Sequence, residues 1–456
     1  MAQESSEEFS IAERLERLPL SSYQRRLFAV IATAWLFDSM DLGTLTYVLG
    51  SIKREFHLSA PQAGALGSMS FVGMFFGASA AGMLADRFGR CVVFQSSMVI
   101  WGVGSLLCAY AANLEQLMSY RVLLGFGMGM EFPIGQSLVS EFIPAQRRGR
   151  YIAVLEGFWP IGFITAGFLA YVLLPVGGWR LLFVADALPA LFVLAVRLFV
   201  PESPRWLEAS GRRRQAQRVM ERLESRVRKA CGGAELPVPR RLAASIGQGP
   251  QRFSFFELWA PRYVQRTIMV WGLWFFALVG YYGLTTWLGA LLQEAGYTVT
   301  GSTLYVTLIS LAGLPGFAAA AWLIERWGRK PTMLAALLGS AVTAHFYGTA
   351  ASLAQVIGFG LGMQFFMFGM WSVLYAYTPE LYPTHARATG AGCASSLGRL
   401  GALLGPTLVG LIKPAYGLSG VFALGAGAFV VAALVVLVLG IETRGKTLEE
   451  LNPLPA

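Results

Sequence analysis

Ionisable side chains lie inside stretches of this sequence that are otherwise apolar. Asp38 and Asp41 lie in one such stretch, Arg121 and Glu131 in another, and Arg399 in a third. A charge in apolar surroundings is costly to keep, so it usually serves binding or proton transfer. Carboxyl groups take up and release protons, whereas a guanidinium stays charged and binds a carboxylate in a forked geometry. These residue types therefore favour the handling of protons and of a small charged ligand.

The stretches that carry these residues are long enough to be membrane-spanning helices. Of the 456 residues, 55% are hydrophobic and only 14% are charged, whereas ordinary globular domains carry about 25% charged residues. Twelve apolar stretches, here named spans 1 to 12, are long enough to cross a bilayer: 27–50, 62–85, 91–112, 116–139, 151–174, 180–200, 266–292, 301–325, 331–351, 353–378, 386–412 and 417–440. The sequence therefore predicts an all-α membrane protein with twelve transmembrane helices.

Two short signatures occur twice in the chain, and the copies are 239 residues apart. Asp86-Arg87-x-Gly89-Arg90 recurs as Glu325-Arg326-x-Gly328-Arg329, and the segment from Glu141 to Arg148 recurs as the segment from Glu380 to Arg387. Two halves that share the same order of apolar stretches and signature loops are typical of a transporter built from two repeats. We therefore expect two six-helix pseudo-repeats, at 27–200 and 266–440, with a tail at 1–26, a cytoplasmic linker with helices at 201–265 and a second tail at 441–456.

The distribution of lysine and arginine predicts the orientation. With the N-terminus inside, the outer loops hold only Lys53, Arg54, Arg180 and Lys413. Basic residues concentrate on the cytoplasmic side of membrane proteins, so we expect both termini to be cytoplasmic. The net charge of +10 then marks a face that attracts anionic membrane lipid, and a nucleic-acid partner is not expected.

The repeated loops carry charges of both signs. Their charged members are Asp86, Arg87, Arg90, Glu141 and Arg148 in the first half and Glu325, Arg326, Arg329, Glu380 and Arg387 in the second. We expect Asp86 to pair with Arg148, and Glu325 with Arg387, so that each half owns a cytoplasmic network that latches the halves in the outward-facing state. The alternative is that the arginines only determine topology, although acids would not be needed for that.

The whole chain resembles the major facilitator superfamily through these paired loops. The segment Pro201-Glu202-Ser203-Pro204-Arg205 is similar to the sugar-porter group. The segment from Tyr377 to Gly390, followed by Arg399-x-Gly401, is similar to the organic-ion transporters and the synaptic vesicle glycoprotein 2 relatives. Within that branch the resemblance extends to the bacterial niacin (nicotinate) transporters. It implies a monomeric carrier in a bacterial inner membrane.

The resemblance also implies roles for the buried charges. In proton-coupled sugar porters an aspartate of span 1 meets an arginine of span 4, which makes Asp41 and Arg121 the proton-coupling candidates, with Asp38 and Glu131 as rivals. The alternative is a permanent structural ion pair. In the anion-carrying relatives an arginine at the motif position of Arg399 faces the substrate, so we expect it to anchor a carboxylate. It could instead pair with a buried acid of another helix.

In this family spans 1, 4, 7 and 10 line the cavity, which selects aromatic and polar residues for substrate binding. The candidates are Trp35 in span 1, Trp274, Tyr281, Tyr282 and Thr285 in span 7, and Gln364, Trp371 and Tyr375 in span 10. Gln364, Trp371 and Tyr375 share one helical face, suited to a flat aromatic ring; such aromatics could also face lipid. Glu156 could belong to this site or to the cytoplasmic network.

The expected function is proton-coupled import, by alternating access, of a small aromatic monocarboxylate, with nicotinate as the leading substrate. Three alternatives stay open: a sugar porter, an organic-cation carrier favoured by the buried acids, and a membrane sensor that binds without carrying. An enzyme is least expected, because no nucleophile with a positioned base, no metal-ligand cluster and no Walker motif occur. No cofactor or metal is expected.

Overall fold

The computed structural model describes residues 9–239, 255–382 and 387–444, and within these ranges the chain is helical with no strand. The α-helices are α1 (Ile11–Glu16), α2 (Ser22–Glu55), α3 (Ala60–Phe88), α4 (Arg90–Ala109), α5 (Leu114–Phe142), α6 (Ala145–Ala187), α7 (Val193–Phe199), α8 (Pro204–Ala209), α9 (Arg213–Ala230), α10 (Pro261–Glu294), α11 (Val299–Leu311), α12 (Gly313–Trp327), α13 (Arg329–Gly348), α14 (Leu353–Glu380) and α15 (Arg387–Leu439). Short 3₁₀ helices cover Leu188–Phe192 and Phe255–Trp259.

The described helices account for twelve membrane crossings. Nine helical stretches of the described residues are long and apolar enough to span a bilayer. Two of them, which include α6 and α15, break at Gly178 and Gly417, where φ values of 65° and 62° leave the helical region and are open chiefly to glycine. Each therefore contains two spans, and α13 supplies one more with its 20 residues. The predicted all-α fold with twelve transmembrane helices is confirmed.

Glycines let helices approach closely in both halves. A Cβ atom at Gly125 of α5 would lie 2.0 Å from the backbone oxygen of Ser70 in α3. In the second half, a Cβ atom at Gly401 of α15 would lie 2.3 Å from the backbone oxygen of Phe275 in α10. No side chain fits at such distances, so these glycines fix the α3–α5 and α10–α15 interfaces.

The two halves meet at one end of the bundle, here called the outer end and defined by Lys53, Arg54, Gln293, Glu294 and Lys413. Lys53 Nζ lies 2.5 Å from Glu294 Oε1, and Arg54 Nη2 lies 2.7 Å from Gln293 Oε1. Lys413 also pairs with Glu294. Since Lys53 and Arg54 belong to the first half and the other three to the second, these contacts close the outer end.

The opposite, inner end carries the repeated loops and a layer of short helices. In this layer α1 docks on α9, because Arg14 Nη2 and Arg17 Nη2 each lie 2.7 Å from a carboxylate oxygen of Glu224. One face of α9 is apolar and buried: Ala216, Met220, Leu223 and Val227. Burial acts to raise the pKa of Glu224, but the hydrogen bonds from the two arginines outweigh it and hold the pKa below its usual value.

Candidate functional site

The helices bring buried ionisable side chains together in the interior of the bundle. Asp38 and Asp41 of α2 and Arg121 and Glu131 of α5 have no exposed surface. Arg399 of α15 is partly exposed, and its guanidinium lies over the ring of Phe132 in α5, so it reaches from the second half to the first. Charges removed from both water and lipid to this extent are typical of functional groups.

The first cluster lies toward the outer end and contains an acid that the sequence analysis missed. Arg121 lies within electrostatic range of Asp41 and of Asp186 in α6, and Asp186 is fully buried. No direct hydrogen bond joins these three side chains within the described residues. The intramembrane rule that selected Asp38 would also have found Asp186, since this aspartate stands in the apolar run of span 6. The roles assigned to Asp41 and Arg121 remain predictions.

The second cluster is more central and joins Asp38, Glu131 and Arg399. Asp38 lies within electrostatic range of both other side chains. Trp101 Nε1 donates to Glu131 Oε2 at 2.9 Å, whereas neither carboxylate oxygen of Asp38 has a hydrogen-bond partner among the described residues. The Arg399 guanidinium lies over the ring of Phe132, 5.5 Å from its centre. Among the described residues the charge of Arg399 is thus compensated only at a distance, and its guanidinium is suited to bind a ligand.

The predicted aromatic residues of spans 7 and 10 form one continuous cluster, whereas Trp35 meets the ring of Phe132 at 4.6 Å. Trp371 stacks on Tyr375 with ring centres 5.6 Å apart, and Tyr281 meets Trp371 edge-on at 5.3 Å. Trp274 contacts Tyr375 at 5.5 Å and donates to Thr378 Oγ1 at 2.9 Å. Spans 7 and 10 therefore contact each other through these side chains, and their role in substrate binding remains a prediction.

Several polar atoms of the predicted binding residues lack a hydrogen-bond partner in the described part of the chain. They are Trp35 Nε1, Tyr281 Oη, the amide Nε2 and Oε1 of Gln364, and Trp371 Nε1. Each is buried, and a buried polar atom without a partner is costly. Such atoms suit a polar ligand that enters the bundle.

Glu156 lies with the binding residues. Gln136 Nε2 donates to Glu156 Oε1 at 2.8 Å, and the glutamate is 3% exposed. It is also within electrostatic range of Tyr375. In contrast, its contacts do not include the charged residues of the repeated loops within the described part of the chain.

A narrow cavity runs between the halves beside the aromatic cluster. Its lining includes Arg121 and Trp159 of the first half and Tyr281, Tyr282 and Thr285 of the second. Thr285 Oγ1 donates to the backbone oxygen of Tyr281 at 2.7 Å, which orients that hydroxyl along the helix. Trp159, which the sequence analysis did not select, extends the aromatic lining to α6. The cavity thus connects the outer charged cluster with the tyrosines.

The repeated loops form matching networks in the two halves. Arg90 Nε lies 2.8 Å from Glu141, and Arg329 Nη2 lies 2.8 Å from Glu380. Each half also has one longer contact of 3.7 Å, between Arg90 and Asp86 in the first half and between Arg329 and Glu325 in the second.

The pairing expected between Asp86 and Arg148 is wrong. Arg148 Nη2 instead lies 3.0 Å from Glu16 of α1, and Arg205 Nη2 lies 2.7 Å from the same carboxylate oxygen. Since Glu16 of α1 lies between Arg148 of α6 and Arg205 of α8, Arg148 is already neutralised. Burial acts to raise the pKa of Glu16, but the bonds from Arg205 and Arg148 hold it below its usual value. The side chain of Arg387, the expected partner of Glu325, lies outside the described residues.

Two glutamates complete the loop networks. Glu202 accepts from the backbone N–H groups of Arg90 and Cys91, and Glu442 accepts from those of Arg329 and Lys330. Each therefore caps the helix that follows a repeated loop. Arg87 and Arg326 instead lie over the rings of Phe88 and Trp322, at 5.3 and 4.2 Å.

Twelve helices in two corresponding halves around buried charges define a membrane transporter of the major facilitator type. A crystal structure of the D-xylose-proton symporter superposes on the chain with a TM-score of 0.73 and 21% identity, and covers 93% of this chain and 100% of that one. This likeness shows the fold alone.

Sequence comparison narrows the class. A family model described as sugar (and other) transporter matches residues 22–454. The niacin transporter NiaP of Acinetobacter baylyi is 37% identical over 97% of this chain and 99% of the relative. The 4-hydroxybenzoate transporter PcaK of the same species is 29% identical over 85% of this chain and 84% of the relative. The chain belongs to the sugar (and other) transporter family of the major facilitator superfamily, and it is an integral membrane protein.

Proposed function

We propose that this protein carries a small aromatic monocarboxylate, nicotinate first of all, into the cell together with a proton. The observation that carries the proposal is the partly buried Arg399 beside the aromatic cluster of Trp371 and Tyr375. A forked guanidinium binds a carboxylate, and the rings suit a flat heteroaromatic ring. The relatives named for niacin and for 4-hydroxybenzoate, both small aromatic acids, support this substrate class.

Proton coupling is proposed on energetic grounds. Entry of one anion against a negative-inside potential costs roughly 2.3 kcal/mol per 100 mV. A proton carried with the anion removes this cost. Asp41 and Asp186, which share Arg121, are the groups we propose for it, because a carboxylate that loses its arginine partner in apolar surroundings takes up a proton more readily. Asp38 and Glu131 are the alternatives.

Transport then proceeds by alternating access, with the halves 27–200 and 266–440 rocking about the central site. We further propose a monomer in a bacterial inner membrane with both termini in the cytoplasm, as the positive-inside rule favours. In this orientation the described structure is closed at the outer, non-cytoplasmic end. The contacts of Arg90 with Glu141 and of Arg329 with Glu380 lie within single halves, so we propose that they hold parts of each half together, in place of the latch between halves expected from the sequence.

An organic-cation carrier is the second candidate, because the buried acids Asp38, Asp41, Glu131 and Asp186 outnumber the buried arginines. Ligand-induced thermal stabilisation distinguishes the candidates, since a ligand that binds only the folded protein raises its melting temperature. Nicotinate should stabilise the purified protein, whereas nicotinamide, a hexose and a small organic cation should not. The variant Arg399→Lys keeps the charge but loses the fork, so it should lose most of the nicotinate response. Stabilisation by the cation alone would contradict the proposal.

A further inference from the structure

A groove at the inner end of the bundle lies outside the transport site and is lined by two kinds of residue. One side is formed by Phe88 and Val92, at the junction of α3 and α4. The other side is formed by Arg212, Arg218 and Arg222, at the start of α9 and along it. The groove has a volume of about 380 Å³ and is open to solvent on one side. An apolar wall facing a basic wall is the composition that an amphiphilic anion requires.

The arginines of the basic wall are not neutralised by an acid among the described residues. Arg218 and Arg222 are four residues apart on α9 and therefore share one exposed face, opposite the buried face with Met220 and Leu223. All three arginines are exposed, and none forms an ion pair with an acid within the described residues. Arg212 is oriented by the ring of Trp206, with its guanidinium carbon 5.1 Å from the ring centre. Three positively charged side chains thus line one groove.

The acid at the base of the groove does not neutralise them. Glu202 turns its oxygens toward the backbone N–H groups of Arg90 and Cys91, at 2.9 and 3.1 Å. The base is also rigid, because Trp206 Nε1 donates to the backbone oxygen of Asp86 at 2.9 Å. A Cβ atom at Gly89 would lie 2.4 Å from the Glu202 carboxylate, so the Asp86–Arg90 loop packs tightly against this glutamate. The groove is therefore preformed.

The apolar wall continues into the surface that faces the hydrocarbon of the membrane. Val92, Val99, Val103 and Leu106 are 41–49% exposed and lie seven, four and three residues apart, which places them on one face of α4. Such a face on the outside of a transmembrane helix contacts acyl chains. Val92 is the inner end of this face and also a wall of the groove. An acyl chain along α4 would therefore bring a lipid headgroup to the arginines.

We propose that this groove is a binding site for one anionic phospholipid of the inner leaflet. Its phosphate would lie among Arg212, Arg218 and Arg222, and one acyl chain would lie along Val92 and Val99. The site is independent of the transport function proposed above. It would tie the helix layer of the linker to the membrane beside the Asp86–Arg90 loop.

Native mass spectrometry of the purified full-length protein with added phosphatidylglycerol or phosphatidylcholine tests the proposal. The test variant is Arg218→Gln/Arg222→Gln. The control Arg228→Gln/Lys229→Gln removes the same charge from the same helix, but neither residue lines the groove. At about 1 kcal/mol per basic residue near anionic lipid, the test variant should bind phosphatidylglycerol about thirty-fold more weakly. The control variant should bind it like the unmodified chain, and phosphatidylcholine should bind all three weakly and equally.

A second measurement identifies the source of the phosphate. Glycerol 1-phosphate, which lacks acyl chains, should compete with phosphatidylglycerol only weakly. Equal lipid binding by the test variant and the unmodified chain would overturn the proposal, and so would equal losses in the test and control variants, because charge alone would then explain binding. Competition by glycerol 1-phosphate as strong as that by the lipid would overturn the role of the apolar wall.

Discussion

At the scale of single residues, the site combines two charged clusters with different expected tasks. Arg399 lies between the halves, over the ring of Phe132, whereas Arg121 lies within electrostatic range of Asp41 and Asp186 and lines the narrow cavity. An arginine that binds substrate must be reachable, and an arginine that controls proton uptake must be shared between acids. Arg121, which is near two acids, is suited to the second task, and the task of Arg399 remains a proposal.

Proton coupling makes a prediction at Asp41. The variant Asp41→Asn removes the titrating group, so uptake driven by an inward proton gradient should fall at least tenfold, while exchange of labelled for unlabelled substrate should persist, since exchange needs no net proton movement. Both are measured in proteoliposomes. Glu115→Gln is the control, because Glu115 is exposed at the start of α5. Equal loss of gradient-driven uptake and exchange would assign Asp41 a structural role.

Ionisable and aromatic residues within apolar runs selected most residues of the candidate site from the sequence. They did not predict which side chains pair with each other. Trp371 and Tyr375 were predicted to share a face, and their spacing of four residues is a local property of a helix. The partner of Arg148 was not predictable in this way, because Glu16 is 132 residues away and reaches it only after α1 docks. Asp186 was missed although its apolar surroundings marked it.

At the scale of helices, close packing depends on glycine at a few positions. Gly125 meets α3 where a side chain would collide with a backbone atom, whereas a methyl group at Gly82 of α3 would have no atom within 4 Å. The difference follows from the faces on which the two glycines lie. Hydropathy predicted the spans, but it carries no information about which helix each face contacts.

These two glycines form a matched pair for a stability test. Gly125→Ala should destabilise the protein by about 1–3 kcal/mol, because α3 and α5 must separate to admit the methyl group. Gly82→Ala should leave stability unchanged or raise it slightly, since alanine favours a helix. Melting temperatures in one detergent give the comparison. Equal melting temperatures for the two variants would show that the α3–α5 interface is not held by this glycine.

The docking of α1 on α9 should depend on pH in a defined direction. The pKa values of Glu16 and Glu224 lie below their usual value in the folded protein. Their contribution is therefore present above the unfolded pKa of about 4.3 and is lost as pH falls through the folded values. Hydrogen exchange in residues 11–16, corrected for its intrinsic pH dependence, should show protection at pH 6 that declines as pH falls below the unfolded pKa of about 4.3. The variant Glu224→Gln should lose it at pH 6 already, and full protection in that variant would contradict the account.

At the scale of the whole molecule, the halves are joined at the outer end by Glu294, which contacts a lysine from each half. Lys53 belongs to α2, and Lys413 belongs to α15. A transporter that works by alternating access must break such contacts in each cycle. The contacts within each half, such as Arg90 with Glu141, can persist through the movement.

Loss of the Glu294 contacts should shift the molecule toward opening at the outer end. In a chain whose four cysteines are replaced, Thr46→Cys places a thiol in the cavity lining. A membrane-impermeant thiol reagent added outside should label this thiol several-fold faster when Glu294→Gln is also present. Glu115→Gln, at the same end but without an ion pair among the described residues, should not raise the rate. An unchanged rate in Glu294→Gln would show that the cluster does not control closure.

The most direct test of the central claim is uptake of labelled nicotinate by proteoliposomes that contain the purified protein, with an inward proton gradient. The account predicts saturable uptake that excess unlabelled nicotinate abolishes, that nicotinamide leaves unchanged, and that Arg399→Lys reduces at least tenfold through loss of the forked contact. Uptake that nicotinamide inhibits as strongly as nicotinate, or that is unaffected in Arg399→Lys, would contradict recognition of the carboxylate by Arg399. No nicotinate uptake by a folded protein would contradict the proposed function itself.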